Sequence, residues 1–249
     1  MELGKKTKIG DLNHKPLVWY GKKANTGILL VHGFTGTPKE MHDCGSLLSE
    51  LGYRCLSITL SGHATRKEDL LNVEYKDWLN DIHEGVKKLK KDGCKKVWVL
   101  GYSLGAGLAL LYASENKVKG VISIAPCIDN LWFYKWIVKI LSPLKKYLYV
   151  GINLKKKYLR YPLIPLDSVE DVLNVYTILS FKIPVKVPVL FIRGQYDEII
   201  SEKGLGQIVD NVIGKRKEII IVPNCTHSVV IDIDKKTIEK IDGFIKKYK

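Results

Sequence analysis

The sequence predicts an α/β protein, a mostly parallel β-sheet with helices on both faces. Two observations carry this. Short apolar runs at 17–20, 27–32, 54–60, 97–101, 118–125, 187–193 and 218–222 are rich in Val, Ile and Leu, and helical stretches separate most of them. Strands that alternate with helices build a parallel sheet, because each crossover helix covers one of its faces. The alternation then stops between 125 and 187, where helical spacing at 131–140 and 144–154 marks an inserted cap. Residues 1–125 and 187–249 are thus read as the core, and 126–186 as a helical cap.

Taken in order, the run Leu-Val-Trp-Tyr at 17–20 opens the strands, and Gly-Ile-Leu-Leu-Val-His at 27–32 is the first fully apolar one. A helix follows at 37–51, with Pro38 suited to its first position because the missing N–H needs no partner there. The strand at 54–60 leads to a helix at 75–91, and the strand at 97–101 to a helix of small residues at 103–115. After the strand at 118–125 comes the cap. The strands at 187–193 and 218–222 are then followed by helices at 201–212 and 232–248.

The chain has 249 residues and an ordinary apolar fraction, so it can bury a sizeable core. Its five cysteines, 44, 55, 94, 127 and 225, are odd in number and scattered, which fits reduced core residues better than disulfides or metal ligands. The first residues lack the apolar stretch of a signal peptide and no run is long enough to span a bilayer, so the expected location is cytoplasmic. A net charge of +14 is large, yet its lysines lie mainly in pairs near helix ends, and no nucleic-acid recognition motif is present. Nucleic acid is therefore not an expected partner. Between 128 and 186, ten Lys and Arg face four acids, and the stretch also holds Trp132, Phe133, Tyr134, Trp136, Tyr147, Tyr149, Tyr158 and Tyr161. This basic, aromatic unit suits a lid packing on its own core, an apolar substrate roof, or contact with an anionic membrane surface. The oligomeric state is left open, a homodimer included.

The segment Lys96-Val-Trp-Val-Leu-Gly101-Tyr-Ser103-Leu-Gly105 reads as a buried strand, a sharp turn carrying one serine, and the start of a helix. A bare G-x-S-x-G arises by chance, but here a run of strand formers precedes it and a packed helix follows. A serine on such a strained turn is exposed for attack above a helix N-terminus.

A serine hydroxyl needs a base to take its proton and a carboxylate to orient that base. Of six histidines, His227 lies in a polar turn just after the last strand, and loops at strand C-termini are where a parallel sheet gathers its reactive groups. The acid should also follow a strand, and Asp197 does so after Val189-Leu-Phe-Ile-Arg-Gly194. Glu198 is its close rival, and Asp232 a second one better suited to capping the last helix. Backbone N–H groups must then hold an oxyanion: Leu104, directly after the serine, and Phe34 in the loop His32-Gly33-Phe34-Thr35-Gly36. His32 is read as a hydrogen bonder that shapes this loop.

With His-Gly-Phe-Thr-Gly, Gly-Tyr-Ser-Leu-Gly, Asp197 and His227 in the order Ser, Asp, His, the chain resembles the α/β-hydrolase superfamily over nearly its full length. Ser61-Gly62-His63, Asp77-Trp78, Val187-Pro188-Val189-Leu190 and Thr226-His227-Ser228-Val229-Val230 are similar to stretches of small prokaryotic carboxylesterases and monoacylglycerol lipases. The resemblance implies an eight-stranded sheet with a compact helical cap after the sixth strand. It also implies Ser103 as nucleophile, Asp197 and His227 as its partners, and Phe34 and Leu104 as oxyanion donors. The chain departs from the pattern at Ala106 and Ala64, where relatives often carry glycine.

The expected activity is hydrolysis of small apolar carboxylic esters of short to medium acyl chains, monoacylglycerols included, through an acyl-enzyme and with no cofactor or metal. A thioesterase or amidase on the same triad is the alternative, and a non-catalytic lipid-binding or membrane-surface module is the rival from another class. Ile128, Trp132, Ile199 and Val229 are candidate pocket walls.

Overall fold

The computed structural model describes residues 15–21, 25–126, 131–143, 146–149, 161 and 163–248. The strands and helices that make up the sheet and its flanks are β1 (Leu17–Tyr20), β2 (Thr26–Val31), α1 (His42–Glu50), β3 (Arg54–Ile58), α2 (Tyr75–Lys91), β4 (Lys96–Tyr102), α3 (Leu104–Glu115) and β5 (Gly120–Ile124). The segment that follows contributes α4 (Leu131–Leu141), a short antiparallel pair β6 (Tyr147–Tyr149) and β7 (Leu163–Pro165), and α5 (Leu166–Leu179). The chain then returns as β8 (Val189–Gly194), α6 (Glu202–Asn211), β9 (Lys217–Val222) and α7 (Lys235–Lys247).

The main sheet has seven strands among the described residues, in the order β1-β3-β2-β4-β5-β8-β9. Only β1 runs antiparallel. The sheet is one strand short of the eight expected, and the inserted segment follows the fifth described strand. In β2, Ile28, Leu29, Leu30 and Val31 are all fully buried, as both faces of a parallel strand must be when helices cover them. At the edge, β9 alternates instead and leaves Ile219 and Ile221 exposed.

Helix α2 buries Trp78, Ile82, Gly85, Val86 and Leu89, a stripe at helical spacing, and ends in a cluster of lysines that suits its C-terminal dipole. Helix α3 is buried on every side through Ala113, with β4 and β5 beneath it and α2 and α5 around it. That surround explains its apolar sequence. Cys44, Cys55 and Cys94 are buried free thiols, and burial pushes Cys44 up to about 12; Cys127 lies outside the described residues.

Three further expectations change. The helix expected at 37–51 begins as a 3-10 turn at Pro38–Met41, capped by Thr37, and only then becomes α1. The second cap helix, expected at 144–154, gives way at 147–149 to a strand, where Tyr-Leu-Tyr pairs with Leu163–Pro165. Aromatic residues on a pleated pair satisfy the same apolar count as a helix turn, which is why spacing alone misreads them. Helix α5 was not foreseen, and its Val175, Tyr176 and Leu179 belong to the main core, whereas Val138, Leu166 and Leu173 form a small separate one with α4.

Candidate active site

The parallel strands bring four loops to one edge of the sheet. β4 is the central strand, and its end carries Ser103; β2 ends beside it at His32, β8 at Gly194 and β9 at Val222. Ser103 is held at φ 52° and ψ −117°, a conformation that side chains rarely adopt. Its neighbours must be glycines because backbone approaches them closely. A methyl at Gly101 would stand 2.0 Å from the Gly105 carbonyl oxygen, and one at Gly105 would stand 2.3 Å from that of Val31. The turn is fastened from two sides: Ser103 N–H donates to Ile124 O at 2.8 Å, and the Tyr176 hydroxyl donates to Ser103 O at 2.8 Å.

Ser103, His227 and Asp197 form one hydrogen-bonded line. His227 Nε2 is 3.2 Å from Ser103 Oγ, while Nδ1 lies 3.0 and 3.1 Å from the two Asp197 oxygens. An ionised carboxylate only accepts, so Nδ1 carries the proton and the Nε2 lone pair faces the serine. The Asp197 side chain is fully buried. Burial works against its charge, but the hydrogen bond from His227, the histidine's charge and the amides of Ile199 and Ile200 outweigh it and hold the carboxyl below its usual range. Both amides donate to Oδ1 at 3.0 Å. The two rival acids sit elsewhere. Glu198 accepts the backbone N–H of His227 at 3.1 Å, and Asp232 lies in the turn ahead of α7, which is capped by Asp234 through Thr237 N–H at 2.7 Å. The Tyr102 ring packs 5.5 Å from that of His227.

Leu104 is the first residue of α3, so its N–H has no acceptor within the helix. The Gly33–Phe34 loop lies against the serine: a methyl at Gly33 would be 3.4 Å from Ser103 Cβ. His32 shapes this loop by donating from Nδ1 to Gly33 O at 2.8 Å and accepting Leu60 N–H on Nε2 at 3.1 Å. Gly36 N–H donates to the same Gly33 oxygen at 3.0 Å. That carbonyl shares a peptide with the Phe34 N–H, so both bonds polarise that donor.

Two residues escape sequence reasoning. Glu40, 1% exposed, accepts Gly33 N–H on Oε2 at 3.2 Å, inside the loop and so close beneath Gly36 that a methyl there would be 2.1 Å away. Tyr176 reaches the serine turn from 73 residues away. Neither leaves a local pattern, although an acid just past a glycine loop is a signal for the first. His63 is buried against His32, Phe34 and Trp78; its Nδ1 donates to Ser61 O at 3.0 Å and its Nε2 has no partner among the described residues. Ala64, where relatives often have glycine, sits at φ 57°, the left-handed region that explains their preference.

The candidate pocket walls are scattered. Val229 is buried in the main core, Ile199 and Trp132 are 42% and 64% exposed, and Ile128 lies outside the described residues. An enclosed wall would be shielded from water, so the exposure of Trp132 places it on the surface of α4. Among the described residues no group of three His, Cys, Asp or Glu is arranged to hold a metal ion, and no helix is long and apolar enough to cross a membrane.

The arrangement is that of a serine hydroxyl beside a histidine that a buried carboxylate holds in place. A thermostable monoacylglycerol lipase from Bacillus sp. (strain H-257) is 28% identical over 226 residues, covering 88% of this chain and 90% of that one. A carboxylesterase from Bacillus subtilis (strain 168) is 22% identical, covering 91% and 93%. Among solved structures, a metagenome-derived lipolytic enzyme of the LipS and LipT pair superposes with a TM-score of 0.79 at 24% identity, covering 94% of this chain and 98% of that one. A soluble variant of monoglyceride lipase from Saccharomyces cerevisiae, bound to a substrate analogue, gives 0.77 at 18%, covering 94% and 91%. Residues 22–174 match the family model described as serine aminopeptidase, S33. The chain belongs to this S33 family of α/β hydrolases.

Proposed function

We propose that the chain hydrolyses apolar carboxylic esters of short to medium acyl chains, monoacylglycerols among them, through an acyl-enzyme on Ser103. The observation that carries this is the hydrogen-bonded line from Asp197 through His227 to a serine on a strained turn. Ser103 Oγ attacks the ester carbonyl carbon as His227 Nε2 takes its proton, and Asp197 stabilises the imidazolium. The carbonyl oxygen becomes an oxyanion, held by the N–H groups of Leu104 and Phe34. On collapse the alcohol leaves with the proton from His227, and a water activated by the same nitrogen frees the acid and restores the serine. Each proton is returned, so the cycle needs no other reactant than water.

The names of the two Bacillus relatives support an ester as substrate, whereas the family's description names a peptidase. Residues 126–186 act in this reading as the cap that limits acyl length. A cytoplasmic location belongs to the same proposal, and the free thiols of Cys44, Cys55, Cys94 and Cys225 accord with it. Initial rates on p-nitrophenyl esters from acetate to palmitate, with 1-monoacylglycerols and an aminoacyl anilide alongside, test it. A rate peak at one chain length that vanishes in Ser103→Ala supports the proposal; serine-dependent cleavage of the anilide alone overturns the ester reading and leaves the nucleophile.

A further inference from the structure

We propose that α4 docks on an anionic lipid surface. The face it turns to solvent is apolar and aromatic: Trp132 is 64% exposed, Trp136 61%, Phe133 58% and Ile140 46%. At helical spacing these four and the exposed Lys139 fall within about 120° of arc. The opposite face is apolar as well, and Val138 and Leu141 pack there against Leu166, Val169 and Leu173 of α5. A helix with apolar residues on two opposite faces needs an apolar medium on both, and among the described residues α5 and Leu148 cover one.

Charge and chemistry select the second medium. α4 carries Lys135 and Lys139 and no acid, and the stretch 128–186 has ten basic residues against four acidic. Of the four acids, Asp129 precedes α4 and lies outside the described residues, and Asp167, Glu170 and Asp171 belong to α5, where Asp171 accepts Tyr75 N–H at 3.2 Å. Lys135 lies over the Trp132 ring and donates to Thr177 Oγ1 at 3.1 Å, which leaves Lys139 at the edge of the exposed stripe. Tryptophans flanked by lysine suit the headgroup zone, where rings lie between water and acyl chains and each lysine gains from anionic lipid. A second copy of this chain is the poorer occupant, because both copies would carry the same +14 charge. This inference does not depend on the reaction carried out at Ser103.

The test is co-sedimentation of the full chain with vesicles of phosphatidylglycerol and phosphatidylcholine, or of phosphatidylcholine alone, with tryptophan emission recorded in parallel. Trp78 and Trp98 are fully buried and Trp19 of β1 is partly buried against His42, so an emission shift reports chiefly on the exposed Trp132 and Trp136 of α4. The wild-type chain should sediment with the anionic vesicles, less so in high salt, with emission moving to shorter wavelength. Trp136→Ser with Ile140→Ser should weaken binding by about tenfold or more. Lys139→Glu should weaken binding to anionic vesicles alone. Both variants should keep the wild-type thermal unfolding midpoint, which shows that they fold. Three results would overturn the proposal: a wild-type chain that stays in the supernatant, a double variant that binds as tightly as wild type, or equal binding to neutral and anionic vesicles. Concentration-dependent dimers lost in the double variant, without vesicle binding, would assign the face to a second copy instead.

Discussion

Replacing Glu40 by alanine tests whether the loop that faces Ser103 is held from within. The side chain is 1% exposed and its Oε2 accepts Gly33 N–H at 3.2 Å, so alanine leaves that amide buried without a partner and opens a void beneath Gly36. An unsatisfied buried donor costs about 1–3 kcal/mol, and the void adds to it. The same loop carries the Phe34 N–H, and losing one oxyanion donor typically costs about 100-fold to 1,000-fold in kcat. A loop that is loosened rather than lost should fall short of this, so we expect kcat to drop about 10-fold to 100-fold, with KM changed little. Glu40→Gln keeps an acceptor oxygen and should recover most of both losses. Steady-state kinetics on a soluble ester and urea unfolding of the three proteins give the answer. An alanine variant with wild-type kcat and stability within about 0.5 kcal/mol would refute the reasoning.

Other consequences follow from neighbouring contacts. Burial, opposed by hydrogen bonds at Ser61 and Leu60, pushes His63 from 6.5 down to about 4. The unfolded chain therefore binds a proton between those values that the folded one refuses, so stability is lost as pH falls through this window, by about 3 kcal/mol in all. Urea unfolding from pH 7 to pH 4 should show the slope, and His63→Phe should flatten it; equal slopes in both would discard the assignment. Gly105→Ala would drive a methyl into the Val31 carbonyl oxygen, so it should destabilise the fold by about 1–3 kcal/mol and cut the ester rate by about 100-fold. A variant with normal turnover would show that the turn adapts. Tyr176→Phe removes the donor to Ser103 O, and thermal unfolding should reveal a loss of about 0.5–1.5 kcal/mol. An unchanged midpoint would make the contact neutral.

Features written in a local pattern were legible in the sequence. Helix α2 was placed at its observed ends because its apolar stripe and lysine-rich last turn lie within one segment. Ser103, Asp197 and His227 could be picked out because each follows a strand, and a parallel sheet delivers its strand ends to one edge. What was missed depends on partners far along the chain. The Tyr176 hydroxyl meets Ser103 across 73 residues, and α5 joins the main core through α3, so neither shows in a window of sequence. Strand β6 falls in a stretch whose spacing reads as a helix, since its pairing partner β7 lies far enough along the chain to be invisible from that stretch alone. The cap of α7 shifted from Asp232 to Asp234 because both acids precede the same apolar stripe, and only the turn geometry chooses between them.

Labelling with a fluorophosphonate tests the central claim most directly, because the reagent is attacked only by a serine whose proton has somewhere to go. Peptide mass spectrometry should find one adduct, on Ser103, formed in the wild-type chain and slowed by about 1,000-fold or more in His227→Ala. No adduct on Ser103, or the same labelling rate without His227, would contradict the account.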